Sequence, residues 1–204
     1  ENMFVHIGFS GNYQKPEHSL RFRARPENHM SAYLIDTGSM TNVEHVIRLG
    51  GEVAAVYGPF HCAAEFLNAA VSSSEDEMVA PDRIGLQDDA GFTGYYLQAG
   101  YFVTGERRGY GGGNWARTAP EGVLFEDGGL GALELAIRYS SLDLNDEGAG
   151  IYGGRLDDVS LGVNWYFHAH ARMMCNYVLA TVKDEDDEEI GGADAFVTRL
   201  QFDF

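Results

Sequence analysis

Hydrophobic and polar residues alternate along most of this chain with a period of two. In the last segment Phe196, Leu200 and Phe202 fall on one side of an extended chain. Arg199 and Gln201 fall on the other side. Because successive side chains of a β-strand point to opposite faces, this spacing predicts strands with two unlike faces. Helical periodicity is not convincing anywhere, so we predict an all-β protein.

The same alternation recurs in ten segments, which we predict to be antiparallel strands. Tight connections such as 58–59 alternate with longer polar ones such as 144–157 and 183–193. A meander with short turns at one end and long loops at the other is typical of outer-membrane β-barrels. The predicted strands are 3–13, 19–25, 30–36, 43–57, 60–72, 92–105, 131–143, 158–167, 171–182 and 194–204.

Alternation alone does not distinguish a membrane barrel from a soluble β-sandwich, because both have one apolar and one polar face. Charged residues and glycines gather on the polar faces here, as suits a water-filled bore. Aromatic residues such as Tyr101, Tyr139 and Trp165 lie at predicted strand ends, like the aromatic girdles of a lipid interface. We therefore predict an antiparallel transmembrane β-barrel, with a soluble binding module as the alternative.

The chain is strongly acidic, with 14 basic and 31 acidic side chains and a formal net charge of −17. This charge disfavours nucleic acid as a partner, since phosphate backbones require a basic surface. No apolar stretch reaches the length of about 20 residues that a membrane-spanning helix needs. No nucleophile elbow, metal-ligand triad or phosphate-binding loop occurs, so we expect neither an enzyme nor a cofactor or metal site.

Five stretches of the sequence carry family-like motifs: 21–27 (RFRARPE), 100–108 (GYFVTGERR), 115–120 (WARTAP), 133–145 (LELAIRYSSLDLN) and 158–177, with NWY followed by RMM and NY. They resemble, in the same order, motifs of the phosphate-selective porins of the O and P type. Together these motifs are specific, whereas any one of them alone would be a weak signal. The resemblance extends along most of the chain.

The resemblance implies a trimeric, sixteen-stranded barrel in the bacterial outer membrane that passes small anions such as phosphate. Sixteen spans of roughly 9–11 residues plus loops need a longer chain. We therefore expect residues 1–204 to form the C-terminal portion of a single outer-membrane barrel, with a self-standing ten-stranded barrel as the alternative. The implied partners are outer-membrane lipid, lipopolysaccharide, small anions and further copies of the chain in a homotrimer.

Arginines on the predicted polar faces are the candidate anion-binding residues, because guanidinium groups make bidentate contacts with oxyanions. Arg21, Arg23 and Arg25 alternate with apolar residues, which would place three guanidiniums roughly 6.5–7 Å apart as an anion ladder. The alternative is that they neutralise carboxylates of the bore such as Glu134. Arg48, Arg138 and Arg199 are also predicted to line the pore, and Arg172 falls on the same face. For each of these four alone, a structural ion pair is the competing role.

The long connection 106–130 carries Arg107, Arg108 and Arg117 among several glycines. We predict that it folds into the bore and constricts it, the alternative being a flexible periplasmic excursion. The chain departs from the family in having only two lysines, and Ala119 replaces a lysine of the family motif. The predicted function is a porin for passive diffusion of small anions, phosphate-type by resemblance. The competing function is a structural barrel subunit of a larger assembly without a transport role.

Overall fold

Long antiparallel strands dominate the computed structural model, which describes residues 3–74, 84–126 and 128–203. No helix in these residues is long and apolar enough to cross a membrane. The strands are β1 (Met3–Gln14), β2 (Arg23–Ala24), β3 (Ile35–Asp36), β4 (Val43–Tyr57), β5 (Phe60–Ser73), β6 (Ala90–Phe102), β7 (Tyr110–Gly111), β8 (Asn114–Trp115), β9 (Ala132–Asp146), β10 (Ile151–His168), β11 (Ala171–Lys183) and β12 (Glu189–Phe202).

The eight long strands form one sheet in the order β1-β4-β5-β6-β9-β10-β11-β12. Each pairs antiparallel with its neighbour in this order, which confirms the prediction of an all-β antiparallel fold. β2 pairs with β3 and β7 with β8 in two small ribbons outside the sheet. Within the described residues β1 and β12 are unpaired edges, so the sheet is not closed.

The sheet has two unlike faces. Leu135, Val163 and Leu200 are 48%, 42% and 55% exposed on one of them, which we call the apolar face. Glu134 and Arg138 alternate with these positions and lie on the opposite face. We call this second face the covered face, because two connecting segments lie on it. The aliphatic side chains of the apolar face are therefore not packed together in a dry interior.

The segment between β1 and β4, residues 15–42, is not part of the sheet. The prediction of long strands at 19–25 and 30–36 was wrong, since only the two-residue strands β2 and β3 form there. Leu20, Ile35 and Met40 are buried against Val46 and Phe92 of the covered face. The alternation arises because one side of an extended segment lies on the sheet and the other side stays exposed. Eight of the ten predicted strands are therefore long strands in the described residues.

The connections after β9 and β11 are shorter than the sequence predicted, because the strands around them are longer. Residues 147–150 join β9 to β10, and residues 184–188 join β11 to β12. In the second turn the Asp184 carboxylate accepts hydrogen bonds from the backbone N–H groups of Asp186 (3.1 Å) and Glu188 (2.9 Å). The acidic run is thus a tight turn. Most of the loop after β5 lies outside the described residues.

Candidate functional site

The connection between β6 and β9, residues 103–131, lies across the covered face. In β7 the Tyr110 ring contacts Phe4 of β1, with ring centroids 4.8 Å apart. In β8 the Trp115 ring lies 5.4 Å from His61 of β5. The β7–β8 hairpin therefore reaches the first strands of the sheet, although its own flanking strands are β6 and β9.

Glu134 is the buried anchor of this connection, with an exposure of only 2%. Its Oε1 accepts a hydrogen bond from His61 Nε2 at 2.8 Å. Its Oε2 accepts hydrogen bonds from the Tyr166 hydroxyl at 2.7 Å and from Asn164 at 3.1 Å. The Arg108 guanidinium lies 3.4 Å from Oε2 and donates to the Tyr166 oxygen at 2.8 Å. Because a buried carboxylate requires charged and hydrogen-bonding partners, this cluster ties Arg108 to the sheet.

The other two arginines predicted for a constriction lie at opposite sides of the sheet. Arg117 donates to His170 Nδ1 at 2.7 Å and lies 3.7 Å from Asp203, beside the end of β12. Arg107 is exposed and lines a small cavity with Phe4 of β1. The structure therefore does not bring Arg107, Arg108 and Arg117 together into one cluster.

Glu27 is a second anchor, at the tip of segment 15–42. Its carboxylate accepts hydrogen bonds from Arg138, from the Ser140 hydroxyl (2.8 Å) and from the Ser160 hydroxyl (2.8 Å). The Glu27 backbone N–H donates to Asp158 at 3.1 Å. All four partners lie on β9 or β10. These contacts hold the tip of the segment on the covered face.

The three arginines of the predicted ladder have different partners. Arg21 forms a two-contact ion pair with Asp36, whose Oδ1 lies 2.7 Å from Nε, and this hydrogen bond lowers the pKa of Asp36. The guanidiniums of Arg23 and Arg25 lie 4.0 Å and 4.2 Å from the centroid of the Tyr33 ring. Neither forms an ion pair with a carboxylate of the described residues. The charge of Arg21 is therefore matched locally, whereas those of Arg23 and Arg25 are not.

The pKa of Tyr33 shows the effect of the positive charges of Arg23 and Arg25. A hydrogen bond with Arg25, followed by the positive charges of Arg23 and Arg25, lowers the pKa of the Tyr33 hydroxyl. Because both guanidiniums favour the ionised phenol, they would favour any small anion in the same place. We call Arg23, Arg25 and Tyr33 the arginine–tyrosine stack.

The remaining arginines predicted to line the pore also differ in their partners. Arg48 donates to the amide oxygens of Asn12 and Gln14, at 3.1 Å and 2.9 Å. Arg138 is bound to Glu27. Arg199 is exposed and makes no hydrogen bond or ion pair with the described residues.

Arg172 was placed on the pore-lining face, with a structural ion pair as the competing role. Its hydrogen-bond acceptor among the described residues is the Gln201 amide, at 2.9 Å from one guanidinium nitrogen and 3.2 Å from another. Its alternation with Met173 placed it on the correct face. The absence of a carboxylate partner could not be read from the sequence.

A family model and two known proteins are similar to this chain. The family model described as "Phosphate-selective porin O and P" matches residues 5–204. An uncharacterized protein of Caulobacter vibrioides is 33% identical over 98% of the chain. Porin O of Pseudomonas aeruginosa is 30% identical over an alignment that covers 76% of the chain. The chain spans 39% and 34% of the lengths of these two relatives.

Proposed function

Because this chain belongs to the phosphate-selective porin O and P family, we propose that it forms part of a water-filled channel for passive diffusion of small anions. The family is non-enzymatic and resides in the outer membrane, as the sequence predicted. The channel, its solutes and its assembly are proposals for the whole protein.

We propose that the sheet closes into a barrel with its apolar face toward lipid. The exposed aliphatic residues of this face support that orientation, since a charged side chain there would cost roughly 2–4 kcal/mol at the bilayer midplane. Arg155, Asp157 and Lys183 are charged residues on this face. They lie toward the end of the sheet that carries the β9–β10 and β11–β12 turns, and both cations are within 3.3 Å of Asp157. This arrangement suits the polar boundary of the membrane.

The arginine–tyrosine stack is the main support for the proposed anion path. Its two guanidiniums lie on a segment that covers the polar side of the sheet, and no carboxylate of the described residues pairs with them. Charged side chains lining a pore decide which ions pass. We propose that Arg23 and Arg25, together with Arg48, Arg172 and Arg199, contact the anion. Arg21 instead joins the two arms of the segment through Asp36, and Arg138 holds its tip on the sheet through Glu27.

The acidity of the chain limits which anions we propose. With a net charge of −17, the surface repels polyanions, most strongly at low ionic strength where screening is weak. Small anions such as chloride and phosphate are therefore the proposed solutes, without selectivity for phosphate over the others. Following the family resemblance, we also propose a homotrimer bordered by lipid and lipopolysaccharide.

Replacing both arginines of the stack with glutamine should reduce anion preference. A hydrogen bond to a charged group contributes about 1.5–3 kcal/mol of binding free energy. Its loss should therefore lower the anion-to-cation permeability ratio by about tenfold. The measurement is the reversal potential of single channels in a potassium chloride gradient. Arg155→Gln on the apolar face removes one positive charge outside the proposed path and should leave the ratio unchanged. An unaltered ratio in the double variant would refute the anion path, and a closed trace for the unmodified protein would favour the structural-barrel alternative.

A further inference from the structure

A cavity of about 350 Å³ lies on the covered face, between the tip of segment 15–42 and the β7–β8 hairpin. Glu27 from the tip, Trp115 from the hairpin and Arg172 from β11 line it. Its volume falls in the range of roughly 300–1,000 Å³ that small-molecule sites occupy. The two anchored segments thus enclose a space suited to one small organic molecule.

The charges that line this cavity leave one cation unmatched. Three guanidiniums, of Arg108, Arg138 and Arg172, and two carboxylates, of Glu27 and Glu134, face one another across it. Arg108 pairs with Glu134 and Arg138 with Glu27. Arg172 therefore remains as the guanidinium available to a ligand carboxylate, which matches its planar, bidentate geometry.

His61 is a buried hydrogen-bonding side chain in the wall of the cavity, more than nine-tenths buried. Because the Glu134 carboxylate accepts hydrogen bonds only, His61 Nε2 carries the hydrogen that it shares with Oε1. Its Nδ1 has no partner among the described residues, and this atom is closed off from solvent. His61 therefore shapes the wall, and the hydroxyls of a ligand are left to the amide side chains of the lining.

The rest of the lining suits the carbon skeleton of a hydroxylated molecule. The half-buried indole of Trp115 lies beside His61 and offers a flat apolar surface, while the amides of Gln98 and Asn176 can bind hydroxyls. We propose that this cavity binds a small hydroxy-carboxylate, with the carboxylate on Arg172 and hydroxyls on Gln98 and Asn176. The proposal rests on the proposed channel and adds an organic class of solute to it.

Gluconate, a small hydroxy-carboxylate, serves as the probe. Its binding can be followed directly through the fluorescence of Trp115. The chain has only two tryptophans, and Trp165 lies on the apolar face, donating to the Leu130 carbonyl at 2.8 Å. In a Trp165→Phe variant in detergent, gluconate should change the emission of Trp115 saturably. Acetate, which lacks hydroxyls, and sorbitol, which lacks a carboxylate, should bind at least about tenfold more weakly. Trp115→Phe should abolish the signal.

Substitutions of Arg172 test the assigned contact. Arg172→Gln should weaken gluconate binding by about tenfold or more, and Arg172→Lys should recover only part of it, because the charge is kept but the bidentate geometry is lost. Arg155→Gln, on the other face, is the charge-matched control and should bind gluconate normally.

The proposal is overturned if gluconate gives no saturable change, if acetate binds as tightly as gluconate, or if Arg172→Gln binds like the unmodified protein. Since fluorescence in detergent requires no transport, these outcomes are separate from the reversal potentials that test the channel itself.

Discussion

Glu134→Ala should lower the free energy of unfolding by roughly 3–5 kcal/mol, the usual cost of breaking a buried ion pair by removing one partner. The carboxylate has four donors around it, on His61, Arg108, Asn164 and Tyr166. Its removal leaves those groups without their shared acceptor in a buried site. It also removes the ion pair of Arg108, which keeps its hydrogen bond to Tyr166, so the β7–β8 hairpin should be held less firmly on the covered face. Urea titration of the protein measures the first effect and single-channel conductance, expected to rise, measures the second.

Glu65→Ala is the matched control for this substitution. Glu65 lies on the same face, on β5, and makes no hydrogen bond or ion pair with the described residues. Its loss should change the free energy of unfolding by no more than about 0.5 kcal/mol. Equal effects of the two substitutions would show that the buried cluster does not hold the hairpin.

Glu27→Ala should increase single-channel conductance and anion preference together. The Glu27 carboxylate joins the tip of segment 15–42 to Arg138, Ser140 and Ser160. Without it the tip keeps the backbone hydrogen bond to Asp158 but loses its side-chain contacts with β9 and β10, and the segment should obstruct the bore less. Arg138 also loses its carboxylate partner, which adds an unmatched positive charge to the covered face. Because the site is partly exposed, we expect a stability loss of only about 1–3 kcal/mol.

Glu17→Ala is the control that separates loss of the Glu27 contacts from a simple change of charge. Glu17 lies in the same segment, is exposed, and makes no hydrogen bond or ion pair with the described residues. It should leave conductance unchanged in planar bilayers, where both variants are compared at equal salt. If Glu27→Ala conducts like Glu17→Ala, the tip is not held by its carboxylate.

Period-two alternation was sufficient to predict most of the sheet. Strand 43–57 was predicted with the bounds that the structure has, and 60–72 was one residue short. Alternation failed at 19–25 and 30–36 because it records only that one side of an extended chain is buried. Leu20 and Ile35 are buried by packing on the sheet rather than by facing lipid. The pattern is the same in both cases, so the sequence could not distinguish them.

The sequence predicted which arginines belong to the candidate site, but not which residues they pair with. Arg21, Arg23 and Arg25 differ only in what surrounds them, and the carboxylate of Asp36 comes from the far arm of the same segment. Glu27 and Ser160 are 133 positions apart in the sequence, yet they share a hydrogen bond. Such pairings depend on how the segment lies on the sheet. Charge pattern alone therefore assigned the face of each arginine and left its role open.

The orientation of the two faces can be measured with neighbouring residues of β11. Cys62 and Cys175 are free thiols. Cys175 lies on the apolar face and Asn176 on the covered face, where it lines the cavity. A spin label on Cys175, with Cys62 replaced by alanine, is compared with a label on Asn176→Cys in a chain whose two native cysteines are alanine. Both proteins are reconstituted in lipid vesicles.

Collision with oxygen, which concentrates in hydrocarbon, and with a water-soluble nickel chelate gives the environment of each label. The label at 175 should respond mainly to oxygen and the label at 176 mainly to the chelate. The reverse pattern, or equal access of both labels to the chelate, would contradict a sheet whose apolar face lies against lipid.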